Sequence, residues 1–200
     1  MNKSFISTGR VPVPCDRSYW VVDGLLLAGA YPTEAPVRVA VPSDGPPYRY
    51  RWRSPKVHPR LDAILECGVR TFVNLIEATE QRFDGSKFLD YRRYAASKAG
   101  YANFLQFPIK DNGITDRRKM HQILDAMDSS IDAGLPVYVH CWGGIGRTAT
   151  VVGCWLRRRN LASKMDVLTV IDRLRKQDVL RCNVDAPATL VQRDFVQEFA

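Results

Sequence analysis

No run of apolar residues in the 200-residue sequence approaches the ~20 that a helix needs to cross a bilayer. The opening stretch, MNKSFISTGRVPVPCDR, has no apolar core of secretory-leader length. No membrane partner is expected, and a cytoplasmic location is. The five cysteines, Cys15, Cys67, Cys141, Cys154 and Cys182, are odd in number, scattered, and form no CxxC pair. That speaks against a disulfide framework and a structural zinc site, so no metal ligands are expected. Internal repeats and low-complexity tracts are lacking as well. With 46% hydrophobic and 25% charged residues, the composition is that of an ordinary globular protein, not a collagenous, coiled-coil or disordered chain.

What the chain has in excess is early proline and positive charge. Nine of its 12 prolines fall within residues 1–60. The formal net charge is +8, and residues 1–60 hold nine Lys/Arg against four Asp/Glu. Such a surplus suits an anionic partner, whether nucleic acid, phosphoprotein or phosphate ester; because the charges form no single run, general solubility explains them equally well. The length points to one domain.

Residues 1–18 read as an irregular lead. In residues 19–32, YWVVDGLLLAGAYP, two apolar runs flank Asp23-Gly24, a hairpin turn signal. Residues 32–59 read as one long loop with seven prolines, four arginines (Arg38, Arg49, Arg51, Arg53) and the aromatics Tyr48, Tyr50 and Trp52. Its composition suits a wall or lid beside an anionic substrate. From residue 60 the pattern alternates. Helices are predicted over 60–67, 86–99, 116–133 (with Asp116 as cap), 147–159, 163–175 (with Ser163 as cap) and 186–199. Strands are predicted over 70–76, 103–109 and 136–140. This is an α/β pattern: a single domain over 19–200, with a central, mostly parallel sheet and helices on both faces.

The informative stretch is PVYVHCWGGIGRTATVVGCWLRRR, residues 136–159. A buried strand ends at His140, Cys141 opens a loop containing Gly143, Gly144 and Gly146, and a helix starts at Arg147. Glycines allow successive backbone N–H groups to converge on one small anion. The helix presents its positive N-terminus to the same point, and the Arg147 fork can clamp two phosphate oxygens. A thiol inside such a ring is favoured as thiolate, the nucleophilic form. Thr148 can donate its hydroxyl to that thiolate and ease its departure. The phosphate-binding set is thus Trp142, Gly143, Gly144, Ile145, Gly146 and Arg147. A plainer reading of the stretch is a small-residue loop around a buried cysteine.

HCWGGIGRT resembles the HCx5R(S/T) signature of the cysteine-dependent protein tyrosine phosphatases, and most closely their dual-specificity-like branch. DGLLLAGAYP, VRTFVNL, FPIKDNGIT and DAPATLVQRDFVQEF are similar to further segments of that family, so the resemblance runs over roughly 19–199. It implies a phosphatase fold and hydrolysis of phosphate monoesters through a cysteinyl-phosphate, with no cofactor. Phosphotyrosine of proteins is the implied substrate, with phosphoserine and phosphothreonine alongside.

Cleavage of such an ester needs an acid for the leaving oxygen and then a base for water. Asp111, 30 residues before Cys141 on a loop after a strand, matches the family's acid; the alternatives are Asp116 as the acid and Asp111 as a turn former. The resemblance also makes Gln192 the residue that places the hydrolytic water, against an ordinary polar helix position. It makes His140 a hydrogen-bonding support for the loop. Trp142, bulkier than usual at its position, either lines the pocket mouth or packs against the lead. Cys67 or Cys182 could guard Cys141 as a disulfide. Arg157-Arg158-Arg159 is either an acidic-partner site or a solvated helix end. Phosphate or another oxyanion is expected to occupy the loop. The rival readings are the same chemistry on an inositol phosphate or an RNA 5′-phosphate, sulfur transfer of the rhodanese type, and a phospho-binding module without catalysis. Nucleic acid stays open as a partner.

Overall fold

The computed structural model describes residues 6–34, 37–41, 49–53 and 57–199, with 37–41 and 49–53 described through their backbone alone. The chain begins with a hairpin of β1 (Ser18–Val22) and β2 (Leu26–Gly29), turned at Asp23-Gly24 as the sequence predicts. The segment expected as one long loop instead contains an antiparallel pair, β3 (Val37–Val41) and β4 (Arg49–Arg53), with Val37 opposite Arg53. Its two runs, VRVAV and RYRWR, alternate with the period of a strand, a signal that the surrounding prolines obscure. The expected substrate-facing side chains of that segment lie outside the described residues.

There follow α1 (Pro59–Glu66), β5 (Thr71–Asn74), α2 (Arg92–Ala99), β6 (Asn103–Gln106), α3 (Arg117–Asp132), β7 (Val137–His140), α4 (Arg147–Arg158), α5 (Val167–Arg175) and α6 (Leu190–Gln197). The main sheet has the order β1-β2-β7-β5-β6, antiparallel only between β1 and β2. Helix α1 packs on α2, while α3, α5 and α6 gather around α4, so two helix groups flank the sheet. The α/β expectation holds in this form.

Three helices start later than the periodicity predicts. Helix α2 begins at Arg92, not residue 86, because Ser86 and Arg92 donate backbone N–H groups to the Asp84 and Asp90 side chains in non-helical turns. Helix α5 begins at Val167, with Ser163 closing a preceding turn through Asp166. Helix α6 begins at Leu190 behind a capping box of Thr189 and Gln192.

The centre of the fold sets up the site. All four residues of β7 are fully buried, as expected of a parallel strand covered on both faces. Residues 147–156 of α4 are all buried, so this helix is the core's axis. Gly153 permits that: a Cβ there would sit 2.5 Å from Val196 and 2.9 Å from Ile171. Its helix-propensity cost of ~1 kcal/mol is therefore offset by close packing of α5 and α6. The carboxyl ends of parallel β2, β7 and β5 open at the start of α4, where α/β sheets place their ligands.

Candidate active site

Cys141 stands at the end of β7, only 3% exposed. The loop after it wraps the sulfur: the Gly144 backbone N–H donates to Cys141 Sγ at 3.3 Å. Gly144 has φ +74°, and a Cβ there would meet the Gly29 carbonyl carbon at 2.6 Å and the Ala30 nitrogen at 2.7 Å. Only glycine lets the loop lie against β2 in this conformation. The Trp142 carbonyl accepts from Tyr31 N–H at 2.9 Å. Ile145 is half-buried against the core, and Gly146 caps α4.

Arg147, the first residue of α4, is 1% exposed. Its Nη1 and Nη2 donate to Glu80 Oε2 and Oε1 at 2.6 and 2.8 Å, a bidentate fork. Nη1 also donates to the Ile109 carbonyl at 3.1 Å, and Nη2 pairs with Asp111 Oδ1 at 2.9 Å. Burial alone would weaken the charge on Arg147, but Glu80, Cys141 and Asp111 hold it more firmly than usual. Glu80 lies on the segment after β5 and no sequence signal pointed to it, because its role depends on a contact 67 residues away.

Asp111 lies on the segment after β6, at a turn where Asn112 takes φ +58°. Its carboxylate is 52% exposed yet touches Arg147. Asp116 is not near this pair in role: it caps α3, accepting from Lys119 N–H at 2.8 Å.

The supporting residues depart from expectation in part. Thr148 is fully buried, and its hydroxyl donates to the Gly29 carbonyl at 3.4 Å. Gln192 is fully buried too. Its Oε1 accepts from Thr189 N–H at 3.2 Å and its Nε2 donates to the Gly113 carbonyl at 2.8 Å. Both ends of the amide are thereby committed to the helix cap and to the Asp111 loop, and a Cβ on Gly146 would touch it at 2.9 Å. His140 is buried with Nδ1 3.3 Å from the Cys141 carbonyl and Nε2 2.6 Å from the Tyr91 hydroxyl. The carbonyl requires a proton on Nδ1, so Nε2 accepts from Tyr91. Burial drives the imidazole pKa down to about 3, with a smaller contribution from Arg147, so the ring is neutral.

Trp142 packs on two aromatic rings. Its ring centroid lies 4.2 Å from Phe83 and 5.8 Å from Phe88, both in the segment before α2. The Arg157–Arg159 run is not a free basic patch: Arg158 pairs with Asp125 and Asp128, Arg159 with Asp128, and Arg157 donates to the Phe199 carbonyl. Cys154 is buried within α4, Cys67 is exposed at the end of α1, and Cys182 is half-buried beyond α5. Among the described residues no group of three His, Cys, Asp or Glu side chains could hold a metal ion, and no helix is long and apolar enough to cross a membrane.

A buried cysteine that accepts from a loop amide, an arginine opening the next helix and a carboxylate on a neighbouring loop thus meet at one end of the sheet. A family model described as "Polymorphic toxin system, DSP-PTPase phosphatase" matches residues 48–160, more than half of the 200. The chain belongs to that family, a dual-specificity-like branch of the cysteine-dependent protein tyrosine phosphatases. The mouse dual specificity protein phosphatase 1 is 37% identical over 102 residues, half of this chain and 24% of the mouse protein. The chain thus spans about a quarter of that relative. Among solved structures, Tk-PTP in its active form is 25% identical with a TM-score of 0.54, covering 70% of this chain and 82% of that one. Kinase associated phosphatase shares the fold at 19% identity and a TM-score of 0.60, covering 87% of this chain and 84% of its own.

Proposed function

We propose that this chain hydrolyses phosphate monoesters, phosphotyrosine of proteins first and phosphoserine or phosphothreonine alongside, through a cysteinyl-phosphate. The Cys141 thiolate attacks phosphorus, forming an S–P bond as the P–O bond to the leaving group breaks. Asp111 gives its proton to the departing oxygen. Water then attacks the same phosphorus, Asp111 takes a proton from it, and phosphate leaves as the S–P bond breaks and the thiolate returns. The loop amides of 142–147 and the Arg147 guanidinium carry the transferred charge. Gln192 contributes by tethering the Asp111 loop, and His140 by holding the Cys141 carbonyl.

The observation that carries this reading is the 2.9 Å contact between Asp111 and Arg147. It joins acid and phosphate loop, which lie far apart in sequence. Further support comes from the buried Nε of Arg147, which has no partner among the described residues and so is left for a phosphoryl oxygen. A reducing, cytoplasmic setting belongs to the same proposal, since the thiolate must stay unoxidised. So does a toxin setting, which the family description names.

The test is turnover of para-nitrophenyl phosphate by wild type and Cys141→Ser, followed by profiling on phosphotyrosine peptides, inositol phosphates and RNA 5′-phosphates. Cys141→Ser is expected to abolish turnover; full activity in that variant rules the mechanism out. Preference for an inositol or RNA ester would reassign the substrate. Phosphopeptide retention without turnover would make the domain a binding module, and thiosulfate turnover a sulfur transferase.

A further inference from the structure

The lead segment reaches into the phosphate loop. Arg17, just before β1, donates from Nη2 to the Gly143 carbonyl at 2.9 Å, across 126 residues of sequence. That carbonyl belongs to the peptide unit whose N–H is on Gly144, and the Gly144 N–H is the group that donates to Cys141 Sγ. In a trans peptide the C=O and N–H point in opposite directions. A guanidinium holding the carbonyl outward therefore turns the N–H inward onto the sulfur. The neighbouring unit is set the same way, with the Trp142 carbonyl held by Tyr31 N–H. That second hold comes from backbone, whereas the first rests on one side chain.

We propose that Arg17 is a positioning residue for the nucleophile, fixing the Gly143–Gly144 peptide with its N–H on the Cys141 sulfur. The inference rests on the phosphatase reading of the loop. It adds a residue outside both the family match at 48–160 and the signature around Cys141. A positive charge on a peptide oxygen also polarises the unit and strengthens its N–H as a donor. Arg17 suits the task because it is anchored. Its own carbonyl accepts from Ala30 N–H at 3.0 Å, which ties its backbone to the end of β2. Burial and the Arg181 charge lower its pKa, with Asp178 opposing and Arg60 adding, yet a guanidinium stays charged. Among the described residues, the titratable groups coupled to Cys141 are Arg147 and Tyr19, with neutral His140 beside it in the chain and Asp111 and Glu80 reaching the site through Arg147. None of these holds the Gly143 carbonyl.

The experiment is the pH dependence of Cys141 alkylation by iodoacetate, read on the Cys141 peptide by mass spectrometry, for wild type, Arg17→Met and Arg17→Lys. Loss of one charge-assisted bond predicts that alkylation at pH 6 falls about 3–10-fold in Arg17→Met and that the profile moves to higher pH. Arg17→Lys, which keeps a cationic donor, is expected to recover part of the loss. An unchanged profile in folded Arg17→Met overturns the proposal. If Arg17→Met does not fold, Arg17→Lys decides: a smaller shift of the alkylation profile to higher pH in the folded variant supports the proposal, and a profile identical to wild type overturns it. Alkylation does not need catalysis, so inactive wild type with a shifted Arg17→Met profile would reject the phosphatase reading and keep this one.

Discussion

The two halves of the site are built differently. The half proposed to hold phosphate is interior: Cys141 and Arg147 are buried, and Arg147 has both terminal nitrogens on Glu80. The half proposed to serve the leaving group is at the surface, where the Asp111 carboxylate is 52% exposed and pairs with Arg147. The contrast follows from the chemistry. A transferred phosphoryl group is always the same, so its cradle can be rigid and prepared in advance. Leaving groups differ, and a carboxyl that gives up and retakes a proton needs access to both leaving group and water.

Substitutions on either side sharpen or break this comparison. The largest effect beyond loss of the nucleophile is expected from Asp111→Asn, which removes the proton donor and should lower kcat on phosphotyrosine peptide by about 10²–10⁴ with little change in KM. Next is Glu80→Gln, which leaves Arg147 one acceptor fewer. Its misorientation should lower kcat/KM about 10²-fold and raise KM, seen as weaker inhibition by inorganic phosphate. If Glu80→Gln affects kcat alone, as Asp111→Asn does, the two halves are not separate in function.

A smaller effect concerns the interior half through pH. Folded His140 has its pKa lowered to about 3, while the unfolded chain's histidine titrates near the ordinary value of 6.5. Between these values the unfolded state binds the extra proton. The contribution is therefore fully present above pH 6.5 and is lost as pH falls toward 3, at about 1.4 kcal/mol per pH unit. Urea unfolding from pH 7 to 4 should show this slope in wild type and lose it in a folded His140→Asn variant.

The elements that sequence periodicity identified are those whose burial is one-sided or complete, such as α3 with its Met120, Ile123, Leu124 and Met127 face. The start of α2 was misplaced because Phe88 and Tyr91 share a helical spacing with Ala95 yet serve other contacts. Phe88 packs on Trp142 and Tyr31, and Tyr91 bonds His140. The β3–β4 pair was hidden by flanking prolines. In the site, the loop from His140 to Thr148 was legible because its residues are contiguous and each type has one chemical use there. Glu80 and Arg17 were not legible, since an isolated Glu or Arg is in most proteins a solvated surface charge.

By itself, then, the sequence determined the α/β class and the place of the strand, glycine loop and helix around Cys141, from which the proposed nucleophile and its arginine were read. These depend on local backbone chemistry: glycine conformations, a strand end and a helix start. Only the tertiary structure decided what each side chain is spent on. The Thr148 hydroxyl went to Gly29, the Gln192 amide to the cap and the Asp111 loop, and the Arg147 fork to Glu80. Most buried donors take an acceptor that the fold brings within reach, because one left unpaired costs about 1–3 kcal/mol, and the Nε of Arg147 is an exception at the site itself.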